Sequence, residues 1–224
     1  EDMAFLSIAF RLALFLIFII LVTQFNSINS PFIIIFSVVF STIGVFLGYV
    51  ITQDEISVIF TFVGVISLAG VVVNNAIVLV DYINLLVKRK RIEKGYENSN
   101  DLDPDDWKQA IIQGGATRLR PVLLTAITTI LGLYPLAIGF NFNFFTFLSH
   151  LDPEFFIGGD NAALWGPMAW TIIYGLTFAT FLTLVVVPVM YWLVYRAKMR
   201  FSNLRKRFSP KPIVESARDI LDNE

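Results

Sequence analysis

The sequence has 224 residues, of which 56% are hydrophobic, with one histidine, no cysteine, and 17 basic against 18 acidic side chains. Disulfides and thiol chemistry are excluded, and one histidine cannot by itself make a metal site. The net charge of −1 says nothing as a total; where the charges fall says a great deal, and nothing in it points to a nucleic-acid partner.

No charged residue lies between Arg11 and Asp54, between Arg120 and Asp152, or between Asp160 and Arg196. Crossing a bilayer as a helix takes about 20 apolar residues, and a soluble core would break such runs with charged faces. The fold class read from this is an all-α integral membrane protein with five transmembrane helices. Glu1 and Asp2 precede the first apolar run, where a secretory signal would carry bases, so the sequence reads as starting inside a larger protein.

Span one runs from Leu12 to Gln24, with Met3–Phe10 as an apolar lead-in. Asn26–Pro31 supplies turn residues, and span two follows from Phe32 to Ile51. Gln53–Glu55 is a short polar connection before span three, Ile56–Val87, which is longer than a crossing needs. In Asp103-Pro104-Asp105-Asp106 an Asp cap, a Pro and first-turn acids predict a helix start. A short surface helix, Asp105–Gln113, is expected to stop at Gly114-Gly115. Span four is expected to open at Pro121 and run to Phe140, and span five from Ala163 to Tyr195. The expected organisation is therefore 1–87 (three spans), 88–120 (loop with surface helix), 121–200 (two spans around an outer loop, 141–162) and a polar tail, 201–224.

Basic residues mark the cytoplasmic side of a membrane protein. Lys88–Arg120 holds eight Lys or Arg and Arg196–Glu224 holds eight more, whereas Gln53–Glu55 and Asn141–Ala162 hold none. Glu1 is thus expected outside and Glu224 inside. Trp165 and Trp170 at one end of span five, and Trp192 and Tyr195 at the other, fit interfacial belts.

Few residues carry chemistry. Asn74 and Asn75 lie in Gly70-Val-Val-Val-Asn-Asn-Ala-Ile-Val-Leu-Val-Asp-Tyr82 near the middle of span three, where unpartnered amides are costly. They serve either function or helix–helix adhesion. Asp81 is seven residues past Asn74 and shares its face, close to the inner interface, where a plain anchoring role competes with a functional one. Thr125, Thr128 and Thr129 share a face of span four; bonding back to their own helix is the simplest reading for them. Gly175-Leu-Thr-Phe-Ala179 is a small-xxx-small spacing that permits close helix contact. The aromatic run Phe140–Phe147 reads as interfacial packing, and His150 as a surface residue of the outer loop. No Walker A motif, metal-ligand set or nucleophile triad occurs, so no enzyme activity is expected.

Two stretches resemble one family. Gly70–Ile83 looks like the tenth transmembrane helix of resistance-nodulation-division (RND) efflux pumps, and Arg118–Phe140 (RLRPVLLTAITTILGLYPLAIGF) looks like their eleventh. Gly115-Ala-Thr-Arg118 and the turn from Gln24 to Phe32 are similar too, and the likeness covers most of Leu12 to Arg200.

The resemblance, closest to the hydrophobe/amphiphile efflux type that includes AcrB, implies helices eight to twelve of a proton-driven permease in the bacterial inner membrane. It implies a homotrimer in the lipid bilayer, working with its own N-terminal half, a periplasmic adaptor and an outer-membrane channel. It implies no cofactor beyond the proton-motive force. An aspartate pair on the family's fourth helix titrates against a lysine, an arginine and a threonine from helices ten and eleven. Arg118 holds the arginine position and Thr125 the threonine position; Asn74 stands where the lysine would be, so the positive countercharge there is missing. The expected coupling residues are Asn74, Asn75, Arg118, Thr125 and Asp81. The rivals are a related lipid or other exporter of the superfamily, a translocation accessory subunit, and a membrane scaffold without transport of its own.

Overall fold

The computed structural model describes residues 2–96, 102–142 and 155–208. Five long helices follow one another: α1 (Asp2–Phe25), α2 (Asn29–Thr52), α3 (Val58–Glu93), α4 (Pro104–Ile138) and α5 (Asp160–Phe208). All five are long and apolar enough to cross a membrane. Between α4 and α5 a small hairpin pairs β1 (Phe140–Phe142) with β2 (Phe155–Ile157), Phe140 opposite Ile157. Phe140 stacks on Phe155 there with centroids 5.5 Å apart, so the aromatic start of the α4–α5 connection is self-packing. Phe144–Phe147, His150 and the chain beyond Phe208 lie outside the described residues.

The expected elements are present, but their limits move. The lead-in Met3–Phe10 continues α1, and the break before α2 is only Asn26 to Ile28, where Asn26 takes φ 46°. The larger correction concerns α4. The surface helix and span four are one uninterrupted helix, in which Pro121 and Pro135 are interior residues. Gly114-Gly115 does not end it. A β-carbon on Gly114 would come within 2.7 Å of Ile83 Cγ1, so this glycine serves close approach to α3 rather than a turn. In an apolar setting a broken helix leaves several backbone groups unpaired, whereas continuing through Pro121 gives up one hydrogen bond.

α2, α3 and α5 make the packed body. Val45, Leu68, Val72, Leu79 and Leu176 are buried at its centre. The Gly175-xxx-Ala179 spacing lies there: a β-carbon on Gly175 would meet Leu68 Cδ2 at 2.1 Å and Val45 Cγ2 at 2.7 Å. On α2, Gly44 and Gly48 have the same spacing and accept Phe178 and Tyr174 of α5.

Two buried tyrosines pin this body, one towards each end. The Tyr49 hydroxyl lies 2.8 Å from Thr171 Oγ1, 2.9 Å from the Pro167 carbonyl and 3.3 Å from Thr61 Oγ1, joining α2, α5 and α3. The Tyr191 hydroxyl donates to Asn84 Oδ1 and lies 3.3 Å from Ser30 Oγ, joining the same three helices again. α1 stands outside the body, and α4 packs along α5, where Ala137 is buried with Ala169 and Ile173 and Tyr134 meets Trp170 edge-on; Phe5, Phe15 and Ile20 of α1 and Leu124, Ile127 and Leu131 of α4 are left exposed.

Candidate functional site: the α3–α4 seam

α3 and α4 run antiparallel, and polar side chains meet along their seam in steps of about two turns. At mid-depth Thr125 Oγ1 lies 3.3 Å from Asn75 Oδ1. Seven residues on along α3 and seven back along α4, the Arg118 guanidinium lies over the Tyr82 ring, 4.4 Å from its centroid. At the far end Lys90 donates to Gln109 at 2.8 Å and Lys94 to Asp106 at 2.5 Å. A spacing of seven returns an α-helix to nearly the same face, so the sequence positions alone set this alignment.

The rungs differ in strength. Thr125 has one hydroxyl hydrogen and two acceptors, because the Val122 carbonyl of its own helix is 2.9 Å away. The shorter bond takes the larger share, so the bridge to Asn75 is weak. Thr128 and Thr129 only bond back, to the Leu124 and Thr125 carbonyls at 2.8 to 3.0 Å. Asn75 is 7% exposed, and its amide nitrogen makes no hydrogen bond among the described residues. Arg118 Nε is buried and likewise has no hydrogen-bond partner there. A buried donor without an acceptor is costly, so Arg118 is poised to bind an acceptor brought to this seam.

The Lys94–Asp106 pair is the firm rung. Lys94 caps α3 at its polar end and Asp106 lies in the first turn of α4, well before the apolar stretch after Arg120. The hydrogen bond from Lys94 holds the Asp106 carboxyl below the usual carboxylate range, with the charges of Lys94 and Lys90 acting the same way. The same bond raises the Lys94 ammonium.

The remaining two expected residues lie off the seam. Asn74 is exposed, a third of a turn from Asn75. Asp81 is exposed on Asn74's side and borders a separate cavity with Gln24, Asn84 and Tyr191. Thus Asn75, Thr125 and Arg118 come together, and Asn74 and Asp81 do not join them. Tyr82 was not singled out from the sequence; its place seven residues after Asn75, matched by Arg118 seven before Thr125, is the signal that locates it. Among the described residues no group of three or more His, Cys, Asp or Glu is placed to hold a metal ion.

Five apolar helices with a polar seam between two of them define a multi-pass membrane protein with a polar interior. Comparison with known proteins identifies the kind. The sequence profile of the AcrB/AcrD/AcrF family matches residues 2–195, and the chain belongs to that family of RND transporters. It is 34% identical over 186 residues to the swarming motility protein SwrC of Bacillus subtilis (strain 168), covering 83% of this chain and 15% of that protein. It is 29% identical over 199 residues to the multidrug resistance protein MdtC of Salmonella paratyphi A, covering 89% of this chain and 16% of MdtC. The crystal structure of a heavy metal efflux pump superposes with a TM-score of 0.62 at 26% identity, over 84% of this chain and 15% of the pump. The chain therefore spans about 15% of the length of the curated relatives it matches.

Proposed function

We propose that this chain is the helix-eight-to-twelve portion of a proton-driven RND efflux permease, and that the α3–α4 seam couples protonation to movement. The observation that carries this is the seam itself: a buried Arg118 Nε lacking an acceptor, on one of two helices joined at mid-depth by one hydroxyl that Asn75 and Val122 share. Carboxylates elsewhere in the transporter would be the acceptors. While they are ionised, Arg118 and the Asn75 amide hold them at the seam and Asn74 meets them from its own exposed face of α3; once they are protonated the charge attraction to Arg118 ends, and α4 is released. Asn74 brings hydrogen bonds but no charge, which leaves Arg118 as the cation in the apolar part of the seam.

The transporter is read as a homotrimer in the bacterial inner membrane, with Lys88–Arg120 and the C-terminus in the cytoplasm, working with a periplasmic adaptor and an outer-membrane channel. The cargo is read as hydrophobic or amphiphilic compounds, which the likeness to MdtC supports. Metal-ion export is the second reading, supported by the likeness to a heavy metal efflux pump.

The test is efflux of a fluorescent dye driven by an imposed proton gradient, comparing wild type with Asn74→Ala, Arg118→Ala and Thr125→Val at equal membrane levels. Loss of at least about tenfold in rate with Arg118→Ala is expected, since a cation opposite buried carboxylates is worth more than about 1.4 kcal/mol. Normal efflux in all three variants would reduce the seam to packing. Protection of cells against divalent metal ions, with no dye efflux, would select the second cargo.

A further inference from the structure

A second polar site lies on the other side of α3, at the end of the bundle where the basic residues gather. A cavity of about 450 Å³ opens between the end of α1, the start of α2, α3, the first turn of α4 and the last membrane turns of α5. Among the described residues Asp81 is its one carboxylate, and no Lys, Arg or His lines it. Asp81 forms no ion pair or hydrogen bond among the described residues, and neither Gln24 nor Asn29 beside it makes a side-chain hydrogen bond there. Asn84 and Ser30 are already engaged with the Tyr191 hydroxyl, so the wall behind Asp81 is fixed. Much of the remaining lining is aromatic: Trp107 stacks on Tyr195 with ring centroids 4.5 Å apart, and both border the cavity, as does Phe25, with Ser27, Ile33 and Val194 completing it.

These features select among ligands. A lone carboxylate repels anions. A purely apolar guest would leave Asp81 and the free amides without partners. A bare divalent ion needs about six oxygen ligands, and one carboxylate among amides and hydroxyls makes a poor set for it. What fits is an organic cation whose charge meets Asp81 and whose carbon atoms lie against indole and phenol faces, which attract cations through their ring quadrupoles. The volume lies within the range of small-molecule pockets. Asp81 is seven residues, or about 10 Å, below Lys88 along α3, which puts the cavity at a membrane interface rather than mid-bilayer.

We propose that this cavity is a binding site for an organic ammonium group, supplied by an aminophospholipid headgroup or by a free amine. The site is independent of the α3–α4 seam, because Asp81 points away from it.

The test uses the protein as purified whole from its membrane, in nanodiscs of phosphatidylglycerol, which contains no amine. Radiolabelled choline is the probe. One saturable site per chain is expected. Asp81→Asn should weaken binding at least about tenfold, the order expected for losing a charge partner. Asp81→Glu should keep it within about threefold, and Gln24→Trp should lose it by filling the mouth while leaving the charge in place. Replacing part of the lipid by phosphatidylethanolamine assigns the source: a proportional loss of choline binding supports the headgroup, and an unchanged affinity supports a free amine. Absence of a saturable component in phosphatidylglycerol discs, or equal affinity in wild type and Asp81→Asn, overturns the proposal.

Discussion

Gly175→Ala is the sharpest test of the packed body. The new methyl carbon would lie 2.1 Å from Leu68 Cδ2, 3.2 Å from Leu68 Cδ1 and 2.7 Å from Val45 Cγ2, where carbon atoms prefer about 3.5–4.0 Å. The leucine can swing its far end, but Leu68 and Val45 are both fully buried, and a valine side chain is stiff at its first torsion. Overpacking of this kind costs about 1–3 kcal/mol. Helix propensity gives back about 0.8–1.0 kcal/mol when alanine replaces glycine. Gly70 is the control, because its β-carbon would meet nothing within 4 Å, so Gly70→Ala keeps the propensity gain alone. Both variants share that gain, and the gap between them isolates the packing cost, about 1–3 kcal/mol. The assay is reversible unfolding in mixed micelles with increasing denaturing detergent, followed by far-UV circular dichroism. Equal stability of the two variants would refute a three-helix contact of α2, α3 and α5 at Gly175.

Three further outcomes follow from the seam. Thr125→Val should impair efflux while Thr129→Val leaves it near wild type, since only Thr125 reaches across to α3; equal effects would show that back-bonding is all that matters. A double-mutant cycle of Arg118→Met and Tyr82→Leu on efflux or stability should give a coupling of about 0.5–2 kcal/mol, the range for a cation over an aromatic ring, against zero if the two side chains are independent. Asp106→Asn should destabilise by the same amount at pH 6 and pH 8: a lowered carboxyl loses its contribution only as pH falls below the unfolded value of about 4, and a raised Lys94 only as pH rises above about 10. A penalty that differs between pH 6 and pH 8 would mean this pair titrates in the working range.

Much of the fold was legible because the bilayer simplifies the code. Charge-free runs marked the five helices, and Asn26 and Gln53, both with positive φ, fell where the turns were read. The continuity of α4 was not legible. Gly-Gly and Pro are punctuation in water, but Gly114 is consumed by contact with Ile83, and Pro121 is tolerated where a broken helix would cost more. The Asn-Asn pair was flagged as one unit, yet adjacent residues on a helix point about 100° apart, and only Asn75 turns to α4. Gly44 and Gly48 were missed although they share the spacing noticed at Gly175 and Ala179; three glycines and an alanine complete one joint, which shows only when two helices are considered together.

The uneven rungs give α4 a direction in which to move. Its first turn is tied to α3 by the 2.5 Å contact of Lys94 with Asp106, whereas its middle is held to α3 by only a shared hydroxyl and a ring contact and rests on α5 through apolar side chains. α3 cannot follow, because Tyr49 and Tyr191 pin it to α2 and α5. A change of charge opposite Arg118 should therefore turn α4 across its apolar contact with α5 about the Asp106 end, with displacement from α3 growing along the helix. Spin labels on exposed residues read this directly: one pair at Ile59 and Leu131, far from the tie, and one at Leu85 and Ile112, near it. Arg118→Met, which removes the cation from the apolar part of the seam, should widen the first distance distribution in the complete protein and leave the second unchanged. If both pairs shift together, α4 slides or separates as a whole, and the Lys94–Asp106 tie is not its pivot.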